Sequence, residues 1–174
     1  MKRTLLVFAA LLTLLATPTV NAAAQPLTDQ YIASIKAGCT DALRGILRVQ
    51  KSEAVTRVNR GHEYEALLKL VAAFNSRIVI NNRDAPALTS TAAKLPAKFS
   101  AFQQHYLDYA DKVDDTLEVN CKDAPVTFYD KLTLMREARA KVAADIRDMN
   151  VLLDEYQNGL NELKLRLAST GDTR

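Results

Sequence analysis

The sequence predicts an all-α protein: an elongated antiparallel three-helix bundle with coiled-coil-like packing and one disulfide. Two long segments repeat apolar residues at alternating spacings of four and three, which lets helices pack along their length. Only five Gly and five Pro interrupt the 174 residues, as long helices with short connections require. The chain also has two cysteines, Cys39 and Cys121, which a hairpin of helices brings together.

The first 22 residues have the pattern of a secretory signal peptide. Lys2 and Arg3 precede an apolar segment over residues 5–16, which is shorter than the ~20 residues of a membrane span. Small residues at the end of this stretch suit cleavage after position 22. We therefore expect a signal peptide, a short mature tail over 23–27, and an extracytoplasmic location: periplasm, cell surface or secreted. An uncleaved leader that anchors the protein in the membrane is the alternative.

The first predicted helix covers residues 28–82 and begins at Thr28, whose hydroxyl is suited to capping it. Apolar residues follow helical spacing at both ends of this segment, but residues 50–63 are mostly polar. Two interpretations remain for that polar middle. A break near Gly61 would give four helices in total, whereas a single helix would contain a polar turn and lose about 1 kcal/mol to the glycine.

The second predicted helix returns antiparallel over residues 85–119. Pro96 either begins this helix or kinks a longer one that starts near Asp84. Its apolar row consists of Leu95, Phe99, Phe102, Tyr106, Tyr109, Val113 and Leu117. The aromatic stripe within that row consists of Phe99, Phe102, Tyr106 and Tyr109. We expect the stripe to pack in the core, and the alternative is an aromatic groove that binds a ligand.

The third predicted helix follows Pro125, which suits a first helical turn. Counting from Phe128 in steps of four and three gives a row that is apolar or Tyr except at Arg139. The row continues through Leu132, Met135, Arg139, Val142, Ile146, Met149, Leu153, Tyr156, Leu160, Leu163 and Leu167. We expect the bundle domain to cover residues 28–168 and a tail over 169–174 to fray.

The spacing of the cysteines fits the hairpin of the first two helices. A turn near residue 83 places Cys121 opposite position 45, which is six residues or about 9 Å from Cys39. Because disulfides are the default in exported proteins, we expect a Cys39–Cys121 bond that stabilises the fold by about 4–5 kcal/mol. Two free thiols are the alternative if the chain is not exported.

The basic residues Arg44, Arg48 and Lys51 share one face of the first helix. We expect this face to pair with an acidic face of the second helix, which runs from Asp108 to Glu118. The alternative is a basic face that binds a partner or an anion such as a polysaccharide.

Arg139 interrupts the apolar row of the third helix, and a buried arginine needs an acidic partner. Glu53 or Glu63, both in the polar middle of the first helix, can supply it and form a buried ion pair. Alternatively, Arg139 points outward and Ala138 takes its place in the core.

No catalytic or metal-binding motif accompanies these features. A zinc-protease helix needs a second His four residues after His62, where Ala66 stands. A di-iron bundle needs a carboxylate three residues before each His, but Asn59 precedes His62 and Phe102 precedes His105. We therefore expect no metal, no cofactor and no enzymatic activity.

Three short segments resemble another group of sequences. They are Arg57-Val58-Asn59-Arg60-Gly61, Asn75-Ser76-Arg77-Ile78, and Cys121 followed by Pro125 and Phe128-Tyr129 ahead of a long charged helix. In these segments the chain resembles uncharacterised exported helical proteins of reduced-genome candidate-phylum bacteria, and the similarity covers most of the mature chain. The resemblance implies no activity, cofactor or catalytic residue.

These features predict an exported, non-enzymatic interaction or spacer module of the cell envelope or surface that binds protein partners through its long helix faces. The same apolar rows also permit homo-oligomers. Outside the leader, 21 of the 23 basic residues remain against 20 acidic ones, so nucleic-acid binding is not expected. Membrane contact is expected only through an uncleaved leader. The alternative function is a ligand-binding or chaperone-like (holdase) envelope protein with an apolar groove.

Overall fold

The computed structural model describes residues 28–171, which form three helices joined by short turns. Helix α1 covers Asp29–Ile80, α2 covers Pro86–Leu117 and α3 covers Pro125–Gly171. No strand occurs within the described range. The predicted all-α three-helix bundle is therefore confirmed.

The ends of the described range bear on three predicted segments. The signal peptide predicted over 1–22 and the tail predicted over 23–27 lie outside the described residues. At the other end, α3 reaches Gly171, so residues 169–171 are helical where the sequence predicted the start of a frayed tail. Residues 172–174 lie outside the described range.

Helix α1 runs through Gly61 without a break, so the four-helix alternative is wrong. Thr28 caps the helix as predicted, because its hydroxyl accepts a hydrogen bond from the Tyr31 amide at 3.3 Å. After the last helical residue, Asn82 adopts a φ of 47°. Asparagine enters this left-handed region more readily than most other residues. The local sequence therefore sets both ends of α1.

Helix α2 begins at Pro86, and Pro96 lies inside it, so the longer of the two predicted forms is the correct one. A proline in the first turn removes an amide that has no helical partner there. The N-cap residue is Ala85, which makes no side-chain capping bond. With an uncapped start and an internal proline, α2 depends on packing for its stability.

The central element of the bundle is α2. It packs closely against α3 and less closely against α1, whereas α1 and α3 have little contact with each other. Buried residues recur along α2 every seven positions, at Leu88, Leu95, Phe102, Tyr109 and Thr116. A helix with this regular row, flanked by further buried side chains, serves as the core for both neighbours.

The predicted row of α3 combines two sets of residues, each with an interval of seven, and only one of the two sets is buried. The residues at intervals of seven are buried as predicted: Phe128, Met135, Val142, Met149, Tyr156 and Leu163. The second buried row, however, holds Ala138, Asp145 and Leu152. Four residues predicted for it (Leu132, Ile146, Leu153 and Leu160) are half-buried, and Leu167, also predicted for it, is exposed.

Small residues explain this shift of the α3 row. The next position after Leu152 in the second row is Gly159, where an added Cβ would lie 2.9 Å from a methyl carbon of Leu88. Alanine and glycine in this row let α2 approach α3 closely. A pattern search for large apolar residues therefore selects the neighbouring row, which α2 leaves only half covered.

The predicted disulfide between Cys39 and Cys121 is present, with the two Cα atoms 5.6 Å apart. It joins α1 to the turn between α2 and α3, and both cysteines are buried. Because such bonds persist only where reductants are scarce, the disulfide indicates a non-reducing environment. Between residues 28 and 171, no helix combines the length and apolarity that a membrane crossing requires.

Candidate interaction surface

The α1–α3 groove is an open apolar groove of about 590 Å³ on the side of the bundle away from α2. The residues that define it are Leu67, Leu70, Phe74, Leu153, Tyr156 and Leu160. Tyr156 is buried, and its hydroxyl lies 3.3 Å from the Asn75 side-chain oxygen, within hydrogen-bond distance. The hydroxyl at the bottom of the groove therefore has a hydrogen-bond partner, and the two walls of the groove are apolar.

The walls of the α1–α3 groove remain in contact with solvent. The Leu70 side chain is 66% exposed and Leu67 is 37% exposed. On the facing wall, Leu153 and Leu160 belong to the half-buried row of α3. Contiguous apolar surface of this kind marks binding sites more often than scattered exposed leucines do. The sequence analysis missed this surface because it assigned those α3 leucines to the core.

A polar layer crosses the middle of the bundle, where α1 carries Glu53 and Arg57. The Tyr106 hydroxyl donates a hydrogen bond to the Glu53 carbonyl at 2.6 Å and lies 3.0 Å from its carboxylate. The Arg57 guanidinium stands 5.5 Å from the centre of the Tyr106 ring. Burial raises the pKa of the Tyr106 hydroxyl, and the neighbouring Glu53 charge raises it further. This layer fixes the height of α1 against α2.

Arg139 joins the polar layer from α3, with its guanidinium 3.4 Å from the Glu53 carboxylate. Of the two predicted partners, Glu53 and Glu63, Glu53 pairs with Arg139, but the predicted burial is wrong. Arg139 is 60% exposed and Glu53 is 24% exposed, and Ala138 occupies the core position. An arginine can reach outward along its stem and keep its charge in water. Glu63, the other predicted partner, is exposed and does not pair with Arg139.

The predicted pairing between the basic face of α1 and the acidic face of α2 is wrong. Arg44 binds Asp41 of its own helix at 3.0 Å. Arg48 and Lys51 are exposed and form no ion pair within residues 28–171. The neighbouring Gln50 contacts the α2 acidic face instead, through a 2.6 Å hydrogen bond to Asp114. The basic face therefore points away from α2, and its use for a partner or an anion stays a prediction.

The aromatic stripe is mainly a core element, as expected. Phe102, Tyr106 and Tyr109 are buried and pack edge to face, with ring centroids 5.8 and 5.9 Å apart. Phe99 is half-buried and lines a second groove of about 570 Å³ between α1 and α2, together with Phe102 and Tyr106. Tyr109 does not line that groove but borders a smaller pocket of about 130 Å³.

The sequence also did not predict a polar contact between His105 and the buried Asp145. The His105 Nδ1 atom lies 2.6 Å from a carboxylate oxygen of Asp145. The signal that could have found it is the seven-residue interval from Ala138 to Asp145, which places both in one row of α3. The sequence analysis gave that place in the core to the apolar neighbour, Ile146.

Several charged residues within the described range form ion pairs between helices, such as Lys98 with Asp148 and Lys131 with Asp115. Within the range from 28 to 171, no three His, Cys, Asp or Glu side chains lie together as a metal site would need. No family model matches this chain, and neither a curated protein nor a solved structure matches it. The surface geometry is therefore the basis of the function proposed below.

Proposed function

We propose that this protein is a non-enzymatic interaction module of the cell envelope or cell surface that binds protein partners through its long helix faces. The observation that carries the proposal is the α1–α3 groove, an apolar surface that its own chain leaves open. Full burial of one large apolar side chain contributes roughly 1.5–3 kcal/mol. A partner that covers Leu67, Leu70 and Leu160 thus gains enough to offset part of the cost of association.

The shape of the bundle supports the same proposal. Helix α1 has 52 residues, which corresponds to a length of about 78 Å. A long, stapled rod separates its two ends by most of that length and presents continuous side faces. Those are the properties of a spacer or scaffold, and the disulfide keeps the end near Cys39 together outside reducing compartments.

Photo-crosslinking tests this proposal directly. A photoreactive amino acid replaces Leu70 in the groove, or Lys141 as an exposed control on α3 outside it. We expect the exported protein to form a discrete adduct with another protein from position 70 and not from position 141. Equal adducts from both positions, or none from either and none from further positions along α1, would contradict an interaction module.

A chaperone-like or ligand-binding role is the second candidate, favoured by the second apolar groove beside Phe99. A holdase binds unfolded clients broadly and suppresses their aggregation. The purified, oxidised protein should then keep a thermally unfolded client in solution at a molar ratio near one. If the client aggregates at its usual rate, the chaperone-like role is excluded and the specific-partner role is unaffected.

A further inference from the structure

We propose that the α1–α3 groove receives one amphipathic helix of a partner protein, with acidic residues in its first turn, and that the two proteins together form a four-helix bundle. This inference rests on the proposed interaction role and specifies the partner for it. The bundle as it stands supplies three of the four helices, and the missing position lies diagonally across from α2.

The arrangement of the helices defines that missing position. In an up-down four-helix bundle, each helix packs on two neighbours and avoids the diagonal one. Here α1 and α3 both pack on α2 and have little contact with each other. A fourth helix in the α1–α3 groove would contact both of them and would run antiparallel to both, as α2 does.

The dimensions of the groove suit a helix. On α1 the wall runs from Leu67 to Phe74, and on α3 it runs from Leu153 to Leu160, an interval of seven residues on each side. Two turns of facing apolar side chains accept knobs at spacings of three and four from a docked helix. The groove is open along its length, whereas small-molecule sites enclose most of their ligand.

Charge at one end of the groove indicates acidic residues in the partner. Arg77 lines the groove on α1, and Lys164 follows Leu160 by four residues on the same face of α3. Neither cation forms an ion pair within the described part of the chain. The first turn of an antiparallel fourth helix would lie at this end, where acidic side chains also suit the helix dipole.

A second copy of this chain suits the groove less well. Below the groove, the exposed apolar stripe that α1 of a second copy could offer contains Leu47, Val55 and Val58. That stripe is flanked by the unpaired cations Arg48 and Lys51, which would meet Arg77 and Lys164 as like charges. Opposite charge therefore favours a different protein as the occupant.

Two synthetic peptides test the inference by fluorescence anisotropy with the oxidised, exported protein. Each has about 18 residues, enough for a helix of five turns, with leucines at spacings of four and three. One carries two Glu in its first turn, and the other carries two Lys there. We expect the Glu peptide to bind about tenfold more tightly than the Lys peptide, the effect of ~1.4 kcal/mol from two exposed ion pairs.

Protein variants locate the binding site. Leu70→Ser should weaken the Glu peptide about tenfold, because it removes a contact worth ~1–2 kcal/mol. Val55→Ser is the matched control, since Val55 is 62% exposed on the same helix but lies outside the groove. It should leave the affinity within about twofold. Arg77→Glu should reduce or reverse the preference for Glu over Lys.

Several outcomes would overturn the inference. They are no binding of either peptide, equal binding of both, equal loss in the Leu70 and Val55 variants, or an Arg77→Glu variant with an unchanged preference. A dimer in sedimentation that Leu70→Ser dissociates would place a second copy in the groove and would also overturn it. Each of these results leaves the proposed interaction role in place as long as position 70 or a further position along α1 still crosslinks to a protein. Without any such adduct the role itself fails.

Discussion

Helix α1 and the α2–α3 pair all carry apolar residues at helical spacing but are packed very differently. Helix α2 buries eight of its 32 residues, whereas α1 buries five of its 52. Between Ile46 and Tyr64, α1 has no buried residue, because the polar layer around Glu53 takes up that stretch. The pair therefore forms the stable unit, and α1 is attached along a narrow strip.

The difference shows how a bundle can be stable and still offer a surface. Close approach of α2 and α3 uses small residues such as Ala138 and Gly159, which leaves the larger leucines of α3 outside the main interface. Because α1 covers those leucines only partly, the α1–α3 groove remains open. The looser attachment of α1 and the proposed binding site have the same cause.

The largest expected effect comes from the disulfide, which ties the loosely packed helix to the rest. Replacing Cys39 and Cys121 together by serine should lower the free energy of unfolding by about 4–5 kcal/mol, as the chain-entropy model predicts for a long loop. Urea unfolding, monitored by circular dichroism, measures this loss.

Hydrogen exchange followed by mass spectrometry then tests where the loss acts. Amides of α1 should exchange faster in the double variant, while those of α2 and α3 stay protected, because local opening follows packing density. Uniform acceleration over all three helices would contradict the proposed division into a stable pair and an attached helix. The oxidised wild-type protein, treated with reductant, serves as the matched control.

Periodicity in the sequence predicted the helices and their order, but it left open a break near Gly61. The disulfide was predicted from the presence of two cysteines in a chain expected to be exported. The rule that apolar residues recur every seven positions found the buried row from Phe128 to Leu163 correctly. It failed for the second row of α3, because a search for large apolar residues ranks Ile146 above Asp145. Which row is buried depends on the distance between α2 and α3, and that distance is set by the side chains of both helices.

The surface pairs were less predictable than the core for a related reason. The sequence predicted Glu53 or Glu63 as the partner of Arg139 from their height in an antiparallel bundle, but it did not choose between them; Glu53 is the one that pairs. The direction in which the Arg44 face points depends on how α1 is rotated about its own axis. Because the apolar strip of α1 is narrow, the sequence defines that rotation only weakly. The structure turns Gln50 toward α2 instead.

The second prediction concerns the hydroxyl that holds α1 in the polar layer. Tyr106→Phe removes the hydrogen bond to the Glu53 carbonyl and leaves that acceptor without it. The free energy of unfolding should fall by roughly 1–2 kcal/mol at neutral pH. Thermal denaturation measures the loss, and Tyr109→Phe is the control, because the buried Tyr109 hydroxyl has no hydrogen-bond partner within residues 28–171. An equal or smaller loss for Tyr106→Phe than for the control would contradict the structural role of the layer.

Ionisation of the same Tyr106 hydroxyl should make the stability of the protein depend on pH in the alkaline range. Burial raises the pKa of Tyr106 and also of Tyr109 and Tyr156 above their ordinary value of 10.0. Above that pH the unfolded chain releases protons that the folded protein retains, so stability is complete below about pH 10 and falls as the pH rises further. Urea unfolding between pH 9 and 11 should show this fall, and Tyr106→Phe should make it less steep. An identical slope in both proteins would contradict the assignment.

Substitution of two glycines should change the stability in opposite directions, one in the α2–α3 pair and one in α1. Gly159→Ala in α3 places a methyl group against the buried Leu88, and overpacking should outweigh the gain in helix propensity by about 1 kcal/mol. Gly61→Ala in α1 meets nothing within 4 Å and should stabilise the protein by about 1 kcal/mol. Thermal denaturation of both variants measures the two shifts. Stabilisation by Gly159→Ala would mean that the α2–α3 interface is looser than its geometry indicates.

The smallest expected effect concerns the ion pair that joins α1 to α3. Because Arg139 is mostly exposed, its pair with Glu53 should contribute only about 0.2–1 kcal/mol. A double-mutant cycle with Glu53→Gln and Arg139→Gln measures this coupling, which about 0.5 M salt should largely abolish. The pair between Lys131 and Asp115 joins α3 to α2 and serves as the control. A coupling of about 2 kcal/mol or more that survives salt would mean that α1 is held to α3 by a desolvated pair, as tightly as packing holds α2.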